Sequence, residues 1–259
     1  MSFEELPRYY STLEAFEEYF ATGIPILMYH KIGARPAGAR LKGLYLGTAH
    51  FDRQLAQLKE AGYSTPPLGR IVGGVVPPRS LALSFDDGFS SVFDNALEIL
   101  NRHQLQAVLF LVANLVGKTN EWDLREGEVI EPLMDATQVR TWLASGHEIG
   151  SHTLTHARLS RLSLRDAREE ISASKKRLED LFAVPIEHFC YPYGEYDDHV
   201  RNLVMEAGYR TACTTEFGIN TPASHPLSLK RITARYPSRS LKNIARKFST
   251  LKNRMLNGQ

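Results

Sequence analysis

Two short stretches of this chain carry residue types that can do chemistry together: Ser84-Phe85-Asp86-Asp87-Gly88 and Ser151-His152-Thr153-Leu154-Thr155-His156. The first sets two carboxylates side by side at the end of an apolar run, and the second offers two imidazoles four residues apart. One Asp and two His make a facial ligand set for a divalent metal, with positions left open for water and substrate. The other Asp is then free to act as a base on that water. Each stretch alone has a plainer reading. Asp-Asp-Gly after a strand serves as a turn and helix cap, and a His-x-x-x-His pair shares one face of any helix it lies on. Their coincidence points to a metal-dependent hydrolase.

The elements that must position these residues alternate along the chain. Buried-strand patterns occur at Pro25–Tyr29, Leu81–Phe85, Ala107–Val112, Glu148–Ser151, Glu187–Tyr191 and Tyr209–Thr214. Helical patterns fall at Phe51–Leu58, Ser91–His103, Asp135–Ala144, Leu164–Phe182 and Asp197–Ala207, and a long polar loop runs through Trp122. Strands alternating with helices predict a parallel sheet covered by helices. About seven such units without a dinucleotide glycine fingerprint favour a distorted (β/α)7-type barrel of the α/β class, as a single domain. Asp86-Asp87, His152 and Tyr191-Pro192-Tyr193-Gly194 then follow three strand ends, where barrel active sites collect.

Composition sets the wider bounds. The 259 residues carry a formal net charge of +2 and two cysteines, Cys190 and Cys213, which cannot form a disulfide framework and suit a reducing compartment. The N-terminus lacks the basic start and apolar stretch of a secretory leader, and no run reaches the ~18 apolar residues of a membrane span. A cytoplasmic enzyme is the expectation. Charge is uneven, however. Residues 1–20 hold five Glu, while no acidic residue follows Glu216. The chain is therefore divided into an acidic helical extension over 1–22, a catalytic barrel over 23–238 and a basic amphipathic tail over 239–259. Leu241, Ile244, Phe248, Leu251 and Met255 recur at helical spacing in that tail. Such a helix either packs on the domain or makes peripheral contact with an anionic membrane surface. Nucleic acid is not expected as a partner, since the tail lacks interleaved aromatics and any recognition motif.

From about Ile24 to Thr215 the chain resembles the polysaccharide deacetylase family. Ser84–Gly88 resembles the family's first motif, Ser151–His156 its second and Phe189–Gly194 its third. The resemblance implies metal-dependent hydrolysis of an N-acetyl group from a carbohydrate, which would be a polysaccharide, an oligosaccharide or a lipid-linked sugar. It also implies Asp86 as general base, with Asp87, His152 and His156 as metal ligands. Zinc suits that donor set best, with Co, Ni or Fe as alternatives. A backbone N–H near Tyr191–Tyr193 is expected to face the oxyanion. The leaving amine needs a proton, yet the family's C-terminal Leu-x-His motif is missing. His30, directly after the strand Pro25–Tyr29, resembles the N-terminal acid of the circularly permuted poly-N-acetylglucosamine deacetylases.

Further departures concern the support around these groups. The third motif usually begins with an Arg that orients the base, and Cys190 stands there instead. Arg231 in Leu229-Lys230-Arg231-Ile232 is the candidate replacement. The family's later Asp and Trp motif is absent, so Trp122-Asp123 is read as a sugar-stacking platform. Trp142 is read as a core-facing helix residue, and His147 and Glu148 as outer support for the second motif. Two other functions stay open at this point: hydrolysis of a formamide or other amide C–N bond, and a catalytically silent sugar-binding module.

Overall fold

Of the runs read as strands, Pro25–Tyr29, Leu81–Phe85 and Ala107–Val112 are buried along their whole length, as expected for parallel strands with helices on one side and a filled interior on the other. The computed structural model of the protein describes residues 6–71 and 76–236. The basic tail assigned to 239–259 lies outside them. In chain order the elements are α1 (Glu17–Phe20), β1 (Ile26–Tyr29), β2 (Lys31–Ile32), β3 (Tyr45–Leu46), α2 (Thr48–Glu60), β4 (Ala82–Phe85) and α3 (Ser90–His103). There follow β5 (Val108–Leu111), α4 (Ala136–Ala144), β6 (Glu148–Ser151), α5 (Leu164–Phe182), β7 (His188–Cys190), α6 (Asp198–Glu206), β8 (Thr211–Phe217) and β9 (Leu229–Thr233).

Seven of the strands close a parallel barrel in the order β1-β4-β5-β6-β7-β8-β9. Closure comes from β1, which pairs with β4 on one side (Ile26↔Ala82) and with β9 on the other (Leu27↔Ile232). β2 and β3 form a separate two-stranded parallel sheet. The expected barrel is therefore present, but its seventh strand is β9, which the sequence reading did not mark as a strand.

Alternation along each strand sorts the side chains. Ile26, Ala82, Val108, Phe110, Cys190, Cys213 and Leu229 pack together in the interior. Leu27, Tyr29, Leu83 and Phe85 pack outward against helical residues such as Phe51 and Leu55. Asp86 continues the inward row of Ala82 and Ser84. The helices supply matching apolar stripes, as in α5, where Ala167, Ile171, Ser174, Leu178 and Phe182 are buried at three- and four-residue spacing. α4 starts at a capping box between Asp135 and Gln138.

The stretch set apart as an acidic extension packs into this core. Tyr10, Phe16 and Phe20 are buried and in ring contact with one another, and Tyr10 bridges to Ala234 beyond β9. No helix among the described residues is long and apolar enough to cross a membrane.

Candidate active site

The chemistry-bearing residues converge at the carboxyl ends of β1, β4, β6, β7 and β9. At the end of β4 the backbone turns sharply: Asp87 and Gly88 both have positive φ, 74° and 79°. Gly88 is needed there twice over, for that conformation and because a Cβ would press on Leu111 at 2.8 Å. The turn presents Asp87 to the two imidazoles. His152 and His156 do not lie on a helix. They sit in a turn with Thr153 and His156 in the left-handed region, which brings the rings into an edge contact with centroids 4.9 Å apart.

Both histidine Nε2 atoms lie 3.3 Å from Asp87 Oδ1. One donor atom each from Asp87, His152 and His156 falls within 4.8 Å of the others, and all three residues are buried. Burial raises the Asp87 carboxyl, but the two imidazoles facing it outweigh this and hold the group well below its ordinary value. Asp87 Oδ1 is buried with no conventional hydrogen-bond partner. His152 Nδ1 lies 2.7 Å from the Cys190 carbonyl, which orients the ring and leaves Nε2 toward Asp87. An under-satisfied carboxylate oxygen and two imidazoles with inward nitrogens fit a divalent metal.

Asp86 is held differently. Arg231, fully buried on β9, grips it through two parallel hydrogen bonds of 2.7 Å, Nη1 to Oδ1 and Nη2 to Oδ2. The same guanidinium donates to the Thr214 carbonyl at 2.7 Å, Ser84 Oγ at 3.1 Å and Cys190 Sγ at 3.1 Å. Burial raises the Asp86 carboxyl, and Arg231 more than reverses this, so the group stays ionised. Cys190 cannot share the task, because a thiol is never a cation; burial pushes it up to about 11, so it stays protonated and neutral beside Arg231. The two adjacent aspartates are thus distinguished by environment: Asp86 has a resident cation and Asp87 does not.

His30 follows β1, with Nε2 3.7 Å from Asp86 Oδ2. Burial lowers its pKa, against the opposing pull of Asp86 and Asp87. The next residue, Lys31, is fully buried over the Phe89 ring and bonded to Tyr45 and Glu131. This network ties the end of β1 to the segment carrying Trp122, and the sequence reading missed it. A Lys two residues past an apolar strand pattern and just before Ile32 was the available signal.

Several expectations are corrected. Tyr191 does not offer an N–H to the site: its backbone N–H donates to the Cys213 carbonyl and its hydroxyl to the Leu227 carbonyl. Pairing with β8 takes up the Tyr191 N–H, and within the expected Tyr191–Tyr193 stretch the free position is Tyr193. That residue has φ 60°, and its N–H has no acceptor among the described residues. Trp122 lines the cavity, but one face stacks on His156 at 4.5 Å and 23°, while Tyr193 meets the other edge of that imidazole at 4.7 Å. Trp122 therefore buttresses a candidate ligand as well as facing the cavity. His147 and Glu148 do not support the second motif. They precede His152 by four or five residues along β6, at the opposite end of the barrel. There His147 bonds Ala107 and Asn101, and Glu148 accepts from Leu68 and pairs with His188.

These groups open into one cavity of about 640 Å³, which His30, Asp86, Asp87, His152 and His156 line together with Trp122. The volume suits one or a few sugar units.

Comparison with known proteins gives a consistent result. A family profile described as polysaccharide deacetylase matches residues 73–212. The poly-beta-1,6-N-acetyl-D-glucosamine N-deacetylase of Staphylococcus aureus (strain MRSA252) is 26% identical over 199 residues, 74% of this chain and 68% of the relative. The Streptococcus pyogenes deacetylase PplD, solved in complex with acetate, superposes with a TM-score of 0.71 at 25% identity, covering 86% of this chain and 96% of its own. IcaB from Ammonifex degensii shares the fold, with a TM-score of 0.71 at 21% identity over 86% of this chain and 96% of its own.

Proposed function

Because this chain belongs to the polysaccharide deacetylase family, we propose that it is a divalent-metal-dependent hydrolase removing an N-acetyl group from a carbohydrate. Asp87, His152 and His156 would hold the metal, whose contribution is Lewis acidity toward a carbonyl and a lowering of the pKa of water from 15.7 to about 7. Asp86, kept ionised by Arg231, accepts the proton of the attacking water. The N–H of Tyr193 donates to the oxygen on which negative charge develops, an interaction worth about 3 kcal/mol when well placed. His30 delivers a proton to the departing nitrogen as the C–N bond breaks, and the products are acetate and a free amine.

The observation that carries this reading is the division of labour between neighbouring carboxylates. Asp86 is clamped by a buried guanidinium, while Asp87 turns an unpaired oxygen toward two imidazoles. A silent sugar-binding module was suggested by the loss of the motif Arg at Cys190. Arg231 fills that place and removes the motive. A chain of N-acetylglucosamine is the first substrate to try, because the Staphylococcus aureus relative is named for one.

The test is acetate release from N-acetylated oligosaccharides by protein stripped with a chelator and reloaded with Zn, Co, Ni or Fe. Activity should vanish on stripping, return on loading, and be absent in His152→Ala, which should also retain less metal. Full activity in the stripped protein would sink the metal assignment. Release of formate from formamido sugars, with none of acetate, would replace the acetyl reading with the formamide one.

A further inference from the structure

Three arginines line the catalytic cavity, and their partners differ. Arg158 pairs with Glu195 and lies over the Tyr193 ring. Arg40 donates to the Glu126 carbonyl at 2.8 Å. Arg235 has neither kind of partner: among the described residues, no carboxylate lies within ion-pair distance of its guanidinium and no acceptor takes its side-chain N–H groups. It is nevertheless held in place. Its Cζ lies 4.3 Å from the centroid of the Tyr9 ring, and the group packs so closely on Gly43 that a Cβ there would overlap the guanidinium. The backbone is pinned as well, since Arg235 donates its N–H to the Tyr10 carbonyl at 2.8 Å and Ala234 donates to Met28 at 2.9 Å.

A half-buried guanidinium packed on a ring and a glycine, with no acceptor among the described residues, is open to a ligand. Its planar fork is preorganised for an oxyanion, and no described residue supplies one. The nearby carboxylates do not supply it. Glu128 is taken by the N–H groups of Arg40 and Leu41, and Asp123 by Asn120. Position matters too. Arg235 stands two residues beyond the end of β9, next to β1 and hence on the His30 side of the cavity, where the departing half of the substrate must sit.

We propose that Arg235 forms an oxyanion subsite in the cavity and that the substrate is an acidic glycan, an acetylated sugar carrying a phosphate or carboxylate group. The inference rests on the deacetylase reading for its substrate but not for its binding site.

The experiment compares three N-acetylated ligands with the metal-loaded full chain: a neutral oligosaccharide, the same sugar as its 1-phosphate, and an oligosaccharide alternating N-acetylglucosamine with glucuronate. Acetate release gives kcat/KM, and calorimetry gives affinity independently of turnover. At least one acidic ligand should be preferred over the neutral one by roughly tenfold or more, the usual scale of a charged hydrogen-bonded contact. That preference should disappear in Arg235→Gln and survive in part in Arg235→Lys, which keeps the charge without the fork. Gly43→Ala, which displaces the guanidinium without removing it, should weaken the preference as well. The phosphate and glucuronate arms identify which oxyanion is meant. Equal kcat/KM and affinity for all three ligands, or a preference unchanged in Arg235→Gln, overturns the subsite. Arg235-dependent binding without acetate release from any ligand instead supports the subsite and overturns the deacetylase reading.

Discussion

Replacing Arg231 with Met would test the assignment of the two aspartates at its most sensitive point. The substitution keeps length and apolar bulk but removes the cation that Asp86 faces. Arg231 and Asp86 are both buried, and their two hydrogen bonds of 2.7 Å are parallel and charge-assisted. Leaving one partner of such a pair in place costs about 3–5 kcal/mol, because the remaining charge is stranded away from water. At roughly 2–4 °C per kcal/mol for a chain of this size, the melting temperature should fall by about 6–20 °C. Asp86→Leu should cost less, since the guanidinium retains the Thr214 carbonyl, Ser84 Oγ and Cys190 Sγ. The double variant should recover most of the loss in Arg231→Met, as replacing both ends of a buried pair often does. All three should be inactive. Thermal unfolding and acetate release, measured on the same preparations, give the complete cycle. A melting temperature for Arg231→Met within a degree or two of wild type, or costs that simply add in the double variant, would refute the claim that the pair is one energetic unit.

His30→Gln should lower kcat by about 10²–10⁴, the range for a lost general acid, while metal content stays at the wild-type level; a near-normal rate would remove His30 from the mechanism. Trp122→Ala should weaken metal affinity by roughly tenfold through the loosened His156 ring, as outer-shell partners do, read by competition with a chromogenic chelator. A raised KM with unchanged metal affinity would instead make Trp122 purely a sugar platform. At the far end of the barrel, burial lowers the His147 pKa from 6.5 to about 4. Its Nδ1 accepts the Ala107 N–H, so protonation there would abolish an acceptor. The unfolded chain takes up this proton first. The contribution is therefore complete above pH 6.5 and declines as pH falls toward 4, by about 3 kcal/mol in all. Denaturant unfolding at pH 7 and pH 4.5 should show a smaller pH loss in His147→Gln than in wild type, and equal losses would disprove the link.

The barrel and its candidate metal set were legible because their signals are local. Short apolar runs between helical patterns mark six of the seven barrel strands, and two of them end in the Asp-Asp-Gly and Ser-His that carry the candidate metal set. β9 escaped because Lys230 and Arg231 interrupt its apolar pattern. Only the carboxylate of Asp86, distant in sequence, makes Arg231 an inward residue. The sequence also leaves open which N–H of the Tyr191–Tyr193 stretch is free. Whether Tyr191 offers its N–H depends on the partner that β8 presents to it, and short periodic patterns do not resolve pairing at a strand's end. His147 and Glu148 were misplaced because closeness in sequence was taken for closeness in space, although a strand carries its residues apart along its length.

Cys190 and Arg231 make sense as one choice of sizes. The guanidinium lies between Asp86 and Cys190, touching the carboxylate at 2.7 Å and the thiol at 3.1 Å. It arrives from β9, which neighbours β1 and so reaches β4 from that side, whereas β7 lies three strands away from β4 in the other direction. What Asp86 requires is a buried cation with a bidentate fork, and either strand can deliver one into the narrow interior. Both cannot do so together, because a second guanidinium would be buried without a carboxylate to meet it. Once the cation comes from β9, position 190 must be small, uncharged and content inside the barrel, and a protonated thiol meets all three conditions. The departure at Cys190 is then the consequence of Arg231 and not a sign that the base has lost its support.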